Sequence, residues 1–371
     1  MELSTQRLSE IFLDLVRIEA ISKQEKPVAD YIRAFLYRLG IETIEDNAGI
    51  EVGGNTGNII AKVNSSFSRN SFTVAFAAHM DTVKSTAGIK PSLENGIIKT
   101  DGSTILGADN RAGIAMILYV VEYLKTNNLQ FTPFEVIFTI GEETGLYGST
   151  HLNKQLVDAE VLYILDSSSD PGYYVISAPE ATDFTLKFIG KASHAAVNPE
   201  DGINAIKMAS RFIEQFTCGR IDNDTTINIG LISGGEATNV IPPVATIHGE
   251  IRGFAPRKIQ QYIDQIHRFA ATIEHDFNGQ VQVQTETAFP GFNLQQDHPA
   301  IKLLELAMDK NGLQPKPIRY YGGSDANIFN NRGFFAIDLG IGAKNPHSVN
   351  EYISLHDMEL VVRTALTIIL E

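Results

Sequence analysis

A single cysteine, Cys218, is all the thiol chemistry this sequence offers. One cysteine cannot close an internal disulfide or build a thiolate metal cluster, so any metal site must be made from His, Asp and Glu. Positive charge is also scarce: 30 Lys and Arg stand against 44 Asp and Glu, a net charge of −14. Such a surface repels polyanions, which argues against nucleic acid or an anionic membrane as partner. It is compatible with a pocket that gathers divalent cations. No apolar run approaches the ~20 residues that span a bilayer. The opening stretch MELSTQRLSEIFLDLVRIEA carries acids within its apolar part. It spaces Leu8, Ile11, Phe12, Leu15 and Val16 as an amphipathic helix does, not as a signal peptide. The cytoplasm is the expected location. Repeats and low-complexity tracts are absent. So is a Ser-His-Asp nucleophile elbow, and neither Gly53-Gly54 nor Gly234-Gly235 belongs to a dinucleotide or phosphate-loop fingerprint.

What is present is an ordinary globular composition, 43% hydrophobic and 20% charged, in 371 residues. That length exceeds most single cores and suggests two domains. The first half alternates helical patterns (4–18, 27–39, 109–124) with apolar strand patterns (58–63, 72–78, 134–140, 161–165). Buried strands between helices predict an α/β domain, a mixed central sheet flanked by helices. The texture changes after Pro179. Strand, helix, strand, strand, helix and strand follow at 182–189, 202–216, 226–232, 246–252, 256–277 and 281–287, an α+β unit in its own right. Alternation resumes from Pro299 and ends in a helix over 355–370. The expected organisation is a domain of residues 1–178 plus 290–371, with a lid domain inserted at 179–289.

Five places set acids and histidines beside apolar strands. His79 and Asp81 close one strand, two residues apart and so on one face. A His ligand with a nearby carboxylate is a common metal arrangement, and a solvated strand end is the alternative. Asp109 stands where a helix begins, a position that Asp favours as an N-cap. Glu142 and Glu143 follow an apolar strand between glycines. Adjacent like charges there need a cation or open solvent. With a metal, one carboxylate could ligate while its neighbour takes a proton. Asp166 ends a buried strand, where α/β active sites form. His347 lies in a loop before the last helix. Together these are hard oxygen ligands and imidazoles placed after successive strands, which suits zinc, cobalt or manganese.

The stretches AAHMDTV, LGADNRAGIA, GEETGLYGS, SHAAVNPEDGINAI, GGEATNVIP, GEIRG, GGSDAN and PHSVNEYI, in this order, resemble the co-catalytic zinc peptidase family, and its peptidase T branch in particular. Glutamate carboxypeptidase, aminoacylase and succinyl-diaminopimelate desuccinylase share that family. The resemblance spans nearly the whole chain. It implies two divalent ions, zinc or alternatively cobalt or manganese, with His79 and Asp166 on one, Glu143 and His347 on the other, and Asp109 bridging. It implies Asp81 as the residue that orients His79 and Glu142 as general base. In the lid it implies His194, Asn239 and Arg252 as substrate-binding residues. It also implies a cis Asp109–Asn110 bond. The implied activity is removal of residues from short peptides, of the tripeptide aminopeptidase type, with a homodimer as a possible assembly. An N-acyl amino acid amidohydrolase of the same fold is the alternative. A non-catalytic binding homologue is a further one, against which the intact Glu142-Glu143 pair argues.

Overall fold

The computed structural model describes residues 2–65 and 72–370. Along the chain come helices α1 (Thr5–Val16) and α2 (Lys26–Arg38), then strands β1 (Ile59–Val63) and β2 (Val74–His79). Helix α3 (Ala108–Thr126) and strands β3 (Phe134–Thr139) and β4 (Val161–Ser167) follow. The next six elements are β5 (Glu180–Ile189), α4 (Ala205–Gln215), β6 (Thr225–Gly234), β7 (Val244–Gly253), α5 (Pro256–Phe277) and β8 (Gln280–Phe289). Helix α6 (Pro299–Lys310), strand β9 (Phe335–Gly340) and helix α7 (Leu355–Leu370) complete the set used below. The fold class is the expected one, a mixed sheet with helices and a separate antiparallel sheet.

Internal contacts divide the chain into two compact units. The first comprises residues up to Ile176, Asn293–Tyr320 and the chain from Ser324; the second comprises Ser177–Phe292 with Tyr321–Gly323. In the first unit the sheet places β1, β3, β2, β4 and β9 side by side. The pairs β2–β3, β2–β4 and β4–β9 are parallel, and β1 pairs with β3 antiparallel. All six residues of β2 and of β3 are buried, as expected of strands covered on both faces. The stripe of α1 that includes Leu8, Ile11, Phe12, Leu15 and Val16 is fully buried. Each such side chain contributes ~1.5–3 kcal/mol on burial.

In the second unit β6, β7, β5 and β8 pair antiparallel in that order. Phe184, Leu186 and Phe188 of β5 pack with Phe212 of α4 and Ile266 of α5. The opposite face of β5, including Asp183, is more open, giving the period-2 burial of a half-covered sheet. Among the described residues, no helix is long and apolar enough to cross a membrane.

Candidate active site

Parallel strands deliver their carboxyl ends to the same edge of a sheet, and ligand sites form there. His79 is the last residue of β2, Glu142 and Glu143 follow the end of β3, and Asp166 lies near the end of β4. The fourth contributor is α3, which packs against β2 and β4. A Cβ on Gly113 would stand 2.3 Å from the Leu165 carbonyl oxygen and 3.0 Å from the Ala78 Cβ. Only glycine permits that approach, which sets Asp109 among the strand ends.

Asp109 does not cap its helix. Asp109 (φ −82°, ψ 102°) and Asn110 (φ −123°, ψ 36°) have non-helical backbone, and their peptide bond is cis. The helix is capped by Asn110, whose Oδ1 accepts from the Gly113 amide at 3.0 Å. Asn110 also donates from Nδ2 to Asp166 Oδ1 at 2.9 Å. The Asp109 carboxylate is thereby free to face two imidazoles. Its Oδ1 lies 2.9 Å from His79 Nε2, which is also 3.4 Å from Asp166 Oδ1. Its Oδ2 lies 3.4 Å from His347 Nε2, which is also 3.1 Å from Glu143 Oε1. One oxygen thus serves a His79–Asp166 side and the other a His347–Glu143 side. His347 reaches this position from a left-handed backbone (φ 64°), uncommon for a residue with a side chain.

Asp81 lies just beyond β2, so its meeting with His79 comes from the way the chain leaves the strand, not from strand alternation as expected. Its Oδ1 is 3.2 Å from His79 Nδ1 and accepts from the Glu142 amide at 3.1 Å. Its Oδ2 accepts from the Glu143 amide at 3.2 Å and from Ser22 Oγ at 2.6 Å. Glu351 accepts from the Gly107 and Asp109 amides at 2.7 and 3.0 Å, fixing the start of α3. Asn110, Ser22 and Glu351 hydrogen-bond to these segments, and the sequence patterns did not single them out.

Carboxylates outnumber imidazoles here, and the electrostatics follow. Burial opposes a charged His79, but Asp166, Asp109 and Asp81 outweigh it and hold its pKa well above the usual value. Hydrogen bonding to Asp109 and Glu143 lifts His347 to about 10. Burial pushes Glu142 well above the usual carboxylate range; nearby His79 opposes this, while Asp166, Asp325 and Glu143 add to it. Burial likewise raises Glu143 and Asp166. Asp109 goes the other way: burial would raise it, but His347 and His79 prevail. A divalent cation would offset this excess of buried negative charge. Ligand atoms of His79, Asp109 and Glu143 lie within 4.8 Å of one another. Imidazole and carboxylate donors without thiolate suit zinc, cobalt or manganese.

The remaining three expected residues lie in the second unit. His194 is exposed and bridges to Val240, next to Asn239, whose carbonyl accepts from the Ala195 amide at 3.0 Å. The Ala196 and Val197 amides donate to His194 Nδ1 at 3.2 Å each. A neutral His194 therefore carries its proton on Nε2, as a donor. Arg252, on β7, is already occupied. Its Nε and Nη2 donate to Glu250 Oε1 and Oε2 at 2.7 and 2.9 Å, and its guanidinium carbon stands 5.5 Å from the centre of the Phe289 ring.

A strand-end cluster of this make-up on a mixed sheet suits a divalent-metal centre of the kind that metal-dependent hydrolases use. The sequence pattern of the peptidase family M20/M25/M40 matches residues 75–371. The chain is also 34% identical to the uncharacterized Bacillus subtilis protein YqjE over 99% of its own length and 98% of that protein's. Two solved structures superpose on it. A Staphylococcus aureus tripeptidase has a TM-score of 0.94 and 31% identity, covering 99% of this chain and 98% of that one. The aminopeptidase PepT of Bacillus cereus has a TM-score of 0.90 and 32% identity, with the same coverage. The chain belongs to peptidase family M20/M25/M40, as a peptidase T-like member, and is a metallopeptidase that hydrolyses peptide bonds.

Proposed function

We propose that this chain is a tripeptide aminopeptidase of the peptidase T type, working with two divalent ions, zinc in the first instance. The observation that carries the reading is Asp109, with one oxygen toward His79 and the other toward His347. His79 and Asp166 would hold one ion and Glu143 and His347 the other, with Asp109 bridging them and Asp81 orienting His79. Bound ions of this kind polarise a scissile carbonyl and lower the pKa of an attacking water.

Glu142 takes the proton of the attacking water and passes it to the nitrogen of the departing residue. Its neighbour Glu143 would hold metal, so the adjacent pair would divide ligation from proton transfer. His194, a donor at Nε2, stabilises the oxyanion of the tetrahedral intermediate. Arg252 grips the substrate carboxylate with two hydrogen bonds, exchanging Glu250 for it, and Asn239 adds a polar contact. The assembly we propose is a cytoplasmic homodimer. Leu231 and Ile232, exposed on β6, support pairing with a second copy, because buried apolar surface drives association. The inserted second unit acts in this reading as a substrate-binding lid, expected at 179–289.

The test is a hydrolysis screen of di-, tri- and tetrapeptides and N-acyl amino acids, with zinc, cobalt or manganese and products identified. Release of the N-terminal residue from tripeptides is the expected result. Preferential cleavage of acylated amino acids would assign the chain to the amidohydrolases instead. No turnover of any substrate would leave a binding homologue.

A further inference from the structure

The turn after β3 carries four successive backbone amides, and each is held by a side-chain oxygen from a distant segment. Ile140 donates to Asn58 Oδ1 at 3.1 Å and Gly141 to Glu25 Oε1 at 2.9 Å. Glu142 and Glu143 donate to the two oxygens of Asp81 at 3.1 and 3.2 Å. Short turns are ordinarily satisfied locally or by water. Here the acceptors are buried, with Glu25, Asn58 and Asp81 each at 0% exposure.

The acceptors are themselves braced. Asn58 donates from Nδ2 to Asp46 Oδ2 at 2.8 Å and to the Gly148 carbonyl at 2.9 Å. Ser22 Oγ donates to Asp81 at 2.6 Å. Glu25 precedes α2 but does not cap it, and its Oε1 accepts from the Lys23 amide at 2.9 Å as well as from Gly141. Buried Arg111 donates from Nη2 to the Ala20 carbonyl at 3.4 Å and also bonds the Met80 carbonyl, tying the 20–25 corner to the chain that carries Asp81. Gly141 is in the left-handed region (φ 56°), and a Cβ there would stand 2.8 Å from the Tyr147 ring. The turn has one way to run, and these side chains fix it.

We infer that Ser22, Glu25 and Asn58 are positioning residues that aim the Glu142 carboxylate, through a brace of side-chain oxygens on the amides of residues 140–143. The inference rests on the proposed role of Glu142 as general base. A group that transfers a proton must be held within a fraction of an ångström, and a misplacement of about 1 Å can cost ~10²-fold in rate. A buried carboxylate accepting backbone amides is a stiff way to hold it.

Three variants of the full-length chain test the inference: Ser22→Ala, Glu25→Ala and Glu25→Gln. Amide hydrogen exchange at residues 140–143 is followed in the metal-free protein. The kcat and KM for trialanine are measured in the zinc-loaded protein. Ser22→Ala should speed exchange at Glu142 and Glu143, and Glu25→Ala at Gly141, by about tenfold or more. Both should lower kcat by about tenfold to a hundredfold, with KM and bound zinc within about twofold of wild type. Glu25→Gln keeps an acceptor oxygen for Gly141 and should restore most of kcat. Unchanged exchange in folded Ser22→Ala overturns the brace, and this variant decides alone if Glu25→Ala does not fold. Faster exchange with unchanged kcat overturns its role in aiming the base. If the wild-type chain hydrolyses no tripeptide, the reading of Glu142 has failed, and exchange still decides the brace.

Discussion

The metal-ligand candidates of the first unit and the substrate-binding candidates of the second are prepared to different degrees. His79 is buried and held by buried Asp81, which also accepts from the Glu142 and Glu143 amides, and the Glu143 carboxylate, 5% exposed, meets a half-exposed His347. His194 and Asn239 are exposed, and Arg252 is engaged by Glu250 on its own strand. In the proposed reading the first set would need only cations, whereas Arg252 in the second would exchange Glu250 for the substrate. Chemistry demands fixed geometry, and its cost is met on folding by burial of a whole domain. Recognition can leave its polar groups in water or on an internal stand-in until a ligand replaces it.

Breaking the prepared side should give the largest effects. Asp109→Ala removes the carboxylate that faces both imidazoles, and should cost ~10³-fold or more in kcat together with loss of bound zinc, measured by elemental analysis. Asp81→Asn keeps the shape but weakens the hold on His79 and on the Glu142–Glu143 amides. A loss of ~10–100-fold in activity or zinc affinity is expected, read by turnover and by zinc titration.

The exchangeable side should respond less and in KM. Arg252→Ala should raise KM for free-acid tripeptides by ~10–100-fold, the worth of a charge-assisted pair of hydrogen bonds. It should leave C-terminally amidated peptides nearly unchanged. Glu250→Gln should lower KM for the free acids by about twofold to fivefold, because a partly exposed ion pair of this kind is worth ~1 kcal/mol or less. A rise in KM instead would show that Glu250 orients Arg252 rather than competing for it.

How far the sequence revealed these features depends on the range of the interactions. The strands, the mixed sheet and the order of the inserted elements follow from local periodicity, and boundaries moved by only a few residues, as in β4, which runs on to Ser167. Acids and histidines after successive apolar strands marked the cluster, since parallel strands end on one edge. What stayed hidden is the network behind it. Ser22, Glu25 and Asn58 meet Asp81 and the 140–143 turn across 59 to 116 residues of chain, and no periodicity reports such a contact. Asp109 was open to a capping reading because Asp favours that place. The adjacent Asn110 does the capping, and two neighbouring side chains of similar preference cannot be told apart by propensity. The Glu250–Arg252 pair was within reach, because residues two apart on a strand share a face.

Glu142 and Glu143 divide proton transfer from ligation in the proposed mechanism, and one measurement tests that division directly. Glu142→Gln is prepared with zinc, and metal content and tripeptide turnover are determined on the same sample. Turnover lower by ~10²–10⁴-fold is expected, as for a lost general base, with metal content equal to that of the wild type. Loss of the metal from Glu142→Gln, or turnover near that of the wild type, would contradict it.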